Sequence, residues 1–353
     1  MKDKHIRVEA DSQLLKKIYA EVSEKLVLPS GYVKGMIFLK GFIYGGLTLG
    51  FYVSLYFVSS SWYWILCMIA YGFSALLLAF NFAHDLSHNT VFKSRQWNNL
   101  GFVFIYTLVG AHADSWKRRH IHEHHYAPNV QAYDSDLKIS GLMRLSPEAP
   151  LRWFHRFQHV YGPFAYTSYS LFWIFIKDFV LLLGEEGEKH NWKYHLTFWG
   201  QKSVYLVYLL VLPLVFAPVS TGIILTGFFL MHVFQSLFLL FTFLMTHHVE
   251  GTDYPMTDET GYIQASWIMN QVRSSNDMHP FSVLANFILG GFNNHIAHHL
   301  FPHLHHLYYP KLNRILYPIL EENAVKPNAT TYWGGVVSHL RLLRRMGAIS
   351  EPH

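Results

Sequence analysis

Six histidines fall within the fourteen residues 293–306, "NNHIAHHLFPHLHH". Three more knots of imidazole occur upstream: "HDLSH" with His84 and His88, "RRHIHEHHYAPN" with His120, His122, His124 and His125, and "MTHHVEG" with His247 and His248. Residues at i, i+3 and i+4 share one helix face. His84 and His88 are an i, i+4 pair, His120 and His124 are another with His125 adjacent, and His295, His298 and His299 are i, i+3, i+4. One such pair alone reads as a polar helix end. Several sets, each tied to an apolar segment, read as a metal site. An all-imidazole shell suits zinc, copper, iron or nickel. An ion takes about four to six ligands, so eight or nine histidines imply two ions. Soluble di-iron bundles instead use Glu-x-x-His pairs with bridging glutamates. Glu123 is the only glutamate within 84–88, 120–125 and 293–306, and it forms no such pair.

These side chains need elements to bring them together. Hydrophobic residues make up 51% of the 353-residue chain and charged residues only 14%, against roughly 25% in an ordinary soluble domain. Much of the chain is therefore expected to face lipid. The net charge of +5 does not point to nucleic acid, because no basic run is interleaved with exposed aromatics. Cys67 is the only cysteine, which excludes a disulfide framework and a thiolate metal site.

A spanning helix needs roughly 20 apolar residues. Residues 41–58, 62–83, 203–219 and 222–245 approach that length. The short joints "SSS" and "STG" fold them into two hairpins, each returning to the side it left. Residues 100–111 and 281–292 are too short to span and suit re-entrant or interfacial helices. Residues 161–183 are longer but are interrupted by Lys177 and Asp178, which favours an interfacial helix over a fifth span. The charged N-terminal stretch has no apolar core of signal-peptide length and reads as an amphipathic helix with Leu14, Leu15 and Ile18 on one side. Lys and Arg flank the spans in "FKSRQW", "WKRRH" and "RLLRRM", whereas the two joints carry none. The positive-inside rule places both termini, the middle segment and all histidine clusters on the cytoplasmic face. The expected fold is all-α: four transmembrane helices in two hairpins, with a cytoplasmic helical cap carrying the boxes.

The boxes "HDLSH", "HIHEHH" and "NNHIAHHLFP" resemble those of the integral-membrane fatty acid desaturases. The "HHLFPxxxH…YPKL" ending is most similar to the acyl-lipid and front-end branch. The resemblance covers about residues 35–320. Front-end members often carry Gln at the position of His295, and the second box here is one residue longer than the common H-x-x-HH. The resemblance implies two iron ions, which zinc can displace on purification, and an O₂-dependent oxidation that introduces a double bond into a fatty acyl chain. It implies as ligands His84, His88, His120, His124, His125, His295, His298 and His299, with His247 as the ninth and His248 as its competitor. Breaking an unactivated C–H bond also calls for a redox metal, which zinc is not.

Asp85, Asp277, Asn293 and Asn294 are the candidates for orienting ring N–H groups. His303, His305 and His306 are expected to be supporting or surface residues. His232, inside the fourth span, is either functional or a neutral imidazole bonded between helices. One catalytic membrane domain is expected over 1–353, with an N-terminal amphipathic segment (1–32), the core and cap (33–320) and a C-terminal tail (321–353). No haem-binding His-Pro-Gly-Gly, Rossmann or flavin element is evident. The expected partners are an acyl substrate carried on CoA, lipid or acyl carrier protein, membrane lipid, and a separate electron donor such as ferredoxin or cytochrome b5. The same scaffold can also serve a hydroxylase, acetylenase or ketolase. A membrane metal transporter or metal-binding protein is the alternative of a different class. It would need coordinating groups along its spans, where only His232 stands out.

Overall fold

The computed structural model describes residues 4–138, 141–183 and 190–348. The first three residues of the N-terminal segment and the last five of the C-terminal tail lie outside them. The described residues are mostly helical, and the only sheet among them is a two-residue parallel pair, Asp277–Met278 with Ala329–Thr330. The chain forms two compact units: Met1–Pro29, Arg118–Gly162 and Phe241–His353, and Ser30–Lys117 with Pro163–Leu240.

The second unit holds most of the apolar chain. Among the described residues four helices are long and apolar enough to cross a membrane: Gly31–Ser54, Ser61–Ser87, Trp192–Phe216 and Thr221–Thr246. Within their apolar windows the first is only 17% buried and the second 56%, so the first presents most of its surface outward and the second is the inner helix. Phe38, Phe42, Phe57 and Trp62 are exposed on this unit, as expected of side chains that meet lipid. The chain is an integral membrane protein of all-α class.

The helices outrun the apolar windows that announced them. The first begins ten residues before 41, and the third begins at Trp192 rather than 203. Hydropathy stops at a charge, but a helix does not when the charge is buried and bonded. Lys40 is 1% exposed. Lys202 donates to Asp178 Oδ2 at 2.7 Å and to the carbonyls of Gly110 at 2.7 Å and Ile174 at 2.8 Å. The carboxylate that seemed to interrupt residues 161–183 is thus an internal partner. That segment takes in the end of the helix Trp153–Tyr166 and the whole of Tyr169–Leu183, the two bent by 78° across a short break.

His232 is fully buried in the fourth helix. Its Nδ1 lies 2.8 Å from Ser170 Oγ and its Nε2 2.8 Å from Tyr205 Oη. Both nitrogens are held by hydroxyls from other helices, which is the interhelical role. The short stretch 100–111 lies in the helix Arg95–Val109, capped by Ser94 and ended by left-handed Gly110.

The first unit is built on the amphipathic N-terminal helix Glu9–Lys25. It buries Leu14, Ile18 and Val22, spaced four apart on one stripe, against Leu312, Leu316 and Leu320 of the helix Tyr309–Glu322. Ile296, Ala297 and Leu300 from the third histidine box join the same core. The box therefore rides on the apolar side of its own short helix.

Candidate metal centre

His295, His298 and His299 lie on the helix His295–Leu300, and all three are buried. The preceding helix Val283–Leu289 ends on left-handed Gly290 (φ 60°), followed by Gly291 (φ 88°). A Cβ at Gly291 would lie 2.5 Å from the Cβ of His306, so the turn needs glycine on both backbone and steric grounds. The helix ends at Leu300, ahead of Pro302, which has no N–H to continue it.

The second box takes a register that α-helical counting misses. Arg119–His124 is a π-helical turn, in which the His125 N–H donates to the His120 carbonyl at 3.0 Å. The i, i+5 pair His120 and His125 then meets Nε2 to Nε2 at 3.2 Å. The i, i+4 pair His120 and His124 stacks with ring centroids 5.7 Å apart. Widened turns of this kind recur at functional sites. Another, Ala79–Ala83, immediately precedes the first box.

Ligand atoms of His124, His247, His295 and His299 all lie within 4.8 Å of one another, and all four residues are buried. His247 Nε2 is 3.0 Å from His124 Nε2 and 3.2 Å from His299 Nε2. His120, His125 and His298 adjoin this group: His125 sits 4.5 Å from both His298 and His299, and His120 stacks on His298 at 5.9 Å between centroids. In the second unit, the His84 and His88 rings meet edge to face with centroids 5.3 Å apart.

The outward nitrogens settle what the inward ones can do. His247 Nδ1 is 2.8 Å from the Ser274 carbonyl, His299 Nδ1 is 2.8 Å from Gln271 Oε1, and His124 Nδ1 is 3.1 Å from Asp134 Oδ2. His298 Nδ1 is 3.2 Å from the hydroxyl of Tyr309, which itself donates to the Leu304 carbonyl at 3.1 Å. Nδ1–H donates to each acceptor, which leaves Nε2 of a neutral ring with a lone pair. Burial, followed by the neighbouring histidines, drives His247 and His299 well below the ordinary imidazole pKa, so both are neutral at pH 7. Burial also depresses His124, but Asp134 and Asp136 outweigh it and the net shift is upward.

Nε2 atoms standing 3.0–3.2 Å apart share either a proton or a cation between them. Nitrogens about 2.0–2.1 Å from a tetrahedral ion stand roughly 3.3 Å apart. The donor set thus fits a divalent transition metal bound by neutral imidazole.

Other expected residues have different roles. Asp277 orients no ring: its carboxylate accepts from Ile296 N at 2.9 Å, Tyr317 Oη at 2.9 Å and Asn313 Nδ2 at 3.2 Å, holding the start of the box helix. Burial pushes its pKa up to about 7, against the pull of those donors. Asn294 bonds the side chains of Asn286 and Asn313, and Asn293 Nδ2 donates to the His279 carbonyl at 3.5 Å. Asp85 accepts from Thr90 Oγ1 at 3.2 Å. His122 and His303 are exposed. His305 and His306 are buried rather than superficial, and the His306 carbonyl accepts from Asn286. His248 points to Tyr254 Oη at 2.9 Å and is no part of the four-ring group.

Asp134, Gln271, Ser274 and Tyr309 escaped sequence reasoning.

The fatty acid desaturase family model matches residues 59–331. An acyl-lipid (8-3)-desaturase of Physcomitrium patens is 30% identical over 323 residues, 88% of this chain and 66% of the relative. The sn-1 linoleoyl-lipid 6-desaturase of Arthrospira platensis is 27% identical over 298 residues, covering 82% and 80%. An acyl-lipid (8-3)-desaturase of Mortierella alpina is 29% identical over 86% of this chain and 70% of its own. The chain therefore spans about two thirds of the moss and fungal relatives and four fifths of the cyanobacterial one. With that family match over most of its length, and with its histidines gathered as described, the chain belongs to the fatty acid desaturase family.

Proposed function

We propose that this protein introduces a carbon–carbon double bond into a fatty acyl chain of membrane lipid. In this reading two iron ions are held by His84, His88, His120, His124, His125, His247, His295, His298 and His299. The buried group His124, His247, His295 and His299, in which His247 Nε2 meets the Nε2 atoms of His124 and His299, is the observation that carries it. Relatives named as acyl-lipid desaturases support the substrate class. Iron with O₂ supplies the oxidising power that removes hydrogen from an unactivated chain.

The chain's own residues hold and shield that chemistry. Asp134, Gln271, Tyr309 and the Ser274 carbonyl keep each Nδ1 proton outward. Burial excludes water and keeps the His247 and His299 imidazoles neutral and available. Electrons come from a separate carrier such as ferredoxin or cytochrome b5. The whole chain acts as one desaturase domain, with its N-terminal segment at 1–32, core and cap at 33–320 and tail at 321–353.

The deciding experiment is mass spectrometry of lipids and acyl thioesters from cells expressing the wild-type gene or a His299→Ala gene. A species two mass units lighter should appear only with the wild type. Hydroxylated product, or no change, would refute desaturation. Metal analysis of protein purified anaerobically in mild detergent should give about two iron atoms per chain, or zinc in their place, because zinc binds such sites more tightly than Fe²⁺. One metal or none in active protein would overturn the two-ion proposal.

We also place both termini, residues 89–202 and residues 247–353 on the cytoplasmic face, on the strength of the Lys and Arg that flank the spans. Single cysteines introduced at 122 and 303, both exposed, into a Cys67→Ser background test this in sealed vesicles. They should react only with reagent on the cytoplasmic side. Labelling from the opposite side would reverse the orientation.

A further inference from the structure

Three carbonyl oxygens surround one buried side-chain amide in the first unit. Asn129 is 1% exposed and left-handed, with φ 60°. Its Nδ2 donates to the carbonyls of His247 at 3.0 Å, Asp253 at 3.1 Å and Ser274 at 3.3 Å. Its backbone N–H donates to Asp134 Oδ2 at 3.0 Å. Its Oδ1 is buried and has no hydrogen-bond partner among the described residues, so the amide serves through its donors. Three acceptors around one nitrogen also fix which way the amide faces.

Two of these four partners are the groups that hold imidazoles. The Ser274 carbonyl faces His247 Nδ1, and Asp134 Oδ2 faces His124 Nδ1. Those two rings are the ones whose Nε2 atoms approach to 3.0 Å. Asn129 thus reaches the supports of two facing histidines, through its backbone on one side and its side chain on the other, and one of them belongs to an element 118 residues away in sequence. The left-handed backbone makes this arrangement specific, since Asn and Gly adopt it far more readily than other residues.

We propose that Asn129 is a positioning residue for the metal centre, setting the angle between the His124 and His247 rings without touching either. This rests on the reading that these histidines bind metal. A ligand set tolerates only about 0.5 Å of drift before its geometry fails. A group that locks two ring supports to one another therefore governs affinity and coordination symmetry together. Asn129→Gly keeps the left-handed backbone and the N–H bonded to Asp134 but deletes the amide. Asn129→Asp keeps size and backbone preference but sets carboxylate oxygen against three carbonyls.

The test uses the full chain in detergent, stripped of metal and titrated with Co²⁺, whose visible bands report coordination geometry. Thermal unfolding of the metal-free protein is followed in parallel. The glycine variant should bind Co²⁺ about 10–100-fold more weakly with shifted bands, the usual effect of losing an outer partner of a metal ligand. The aspartate variant should lose more. Earlier unfolding with unchanged affinity and bands would mean a merely structural role and would overturn the proposal. If the glycine variant does not fold, the aspartate variant decides by the same two readings; if neither folds, Asn129 is a folding residue and the proposal falls. Failure of the wild type to bind Co²⁺ would instead sink the metal-centre reading itself.

Discussion

A His299→Ala variant is expected to lose turnover entirely and to bind less metal, while His303→Ala keeps its metal and most of its activity. The two residues are four apart in one histidine-rich run, yet the fold separates them. His299 is 1% exposed, its Nδ1 is held by Gln271, and its Nε2 lies 3.2 Å from that of His247. Deleting that ring leaves a gap among imidazoles already committed to their own positions. His303 is exposed beyond Pro302. The same contrast holds at the end of the fourth span. His247→Ala should behave as His299→Ala does, whereas His248→Ala should retain metal, because its ring turns to Tyr254. The check is metal per chain together with product formation, at matched expression and matched stability in detergent. Metal lost from the His303 variant but kept by the His299 variant would refute the assignment.

The boxes were legible because a histidine beside an apolar span is costly unless it has a task, and because i, i+4 spacing repeats. The hairpins were legible from the joints "SSS" and "STG". What stayed hidden has physical reasons. The carbonyl of Ser274 has no side-chain signature, and Gln271 lies 28 residues from the ring it orients, so no spacing rule reaches it. The π-helical register of Arg119–His124 pairs His120 with His125, whereas α-helical counting favours His124. Asp277, Asn293 and Asn294 were sought as ring partners because of their type and place, but a polar side chain beside a box can equally satisfy the start of the helix that carries it. Residue type and sequence position do not separate those two uses. The donors that reach the group do, and at Asp277 they are the Ile296 N–H, Asn313 and Tyr317, none of them an imidazole.

Charge inside the membrane unit gives the second large effect. Asp178→Ala should destabilise the protein by about 3–5 kcal/mol, because it strands the Lys202 ammonium in a buried site. Lys202 is 6% exposed and Asp178 fully buried, so water cannot take over the lost contact. The pair is also heavily bonded. Besides Lys202, Asp178 accepts from His112 N at 2.8 Å and from Trp173 Nε1 at 3.1 Å, and the ammonium spends its other two protons on carbonyls. Removing both charges is a different matter. An Asp178→Leu, Lys202→Met double variant loses the attraction and the desolvation cost together, and such replacements are often neutral or stabilising by about 1–4 kcal/mol. Here the freed carbonyls of Gly110 and Ile174 and the His112 N–H would lose partners, so the double variant should fall between the wild type and the single one. Thermal midpoints in detergent for the wild type, the Asp178→Ala variant and the double variant measure this. A single variant as stable as the wild type would mean that the pair is hydrated, and that Lys202 and Asp178 do end the apolar segments as hydropathy alone suggested.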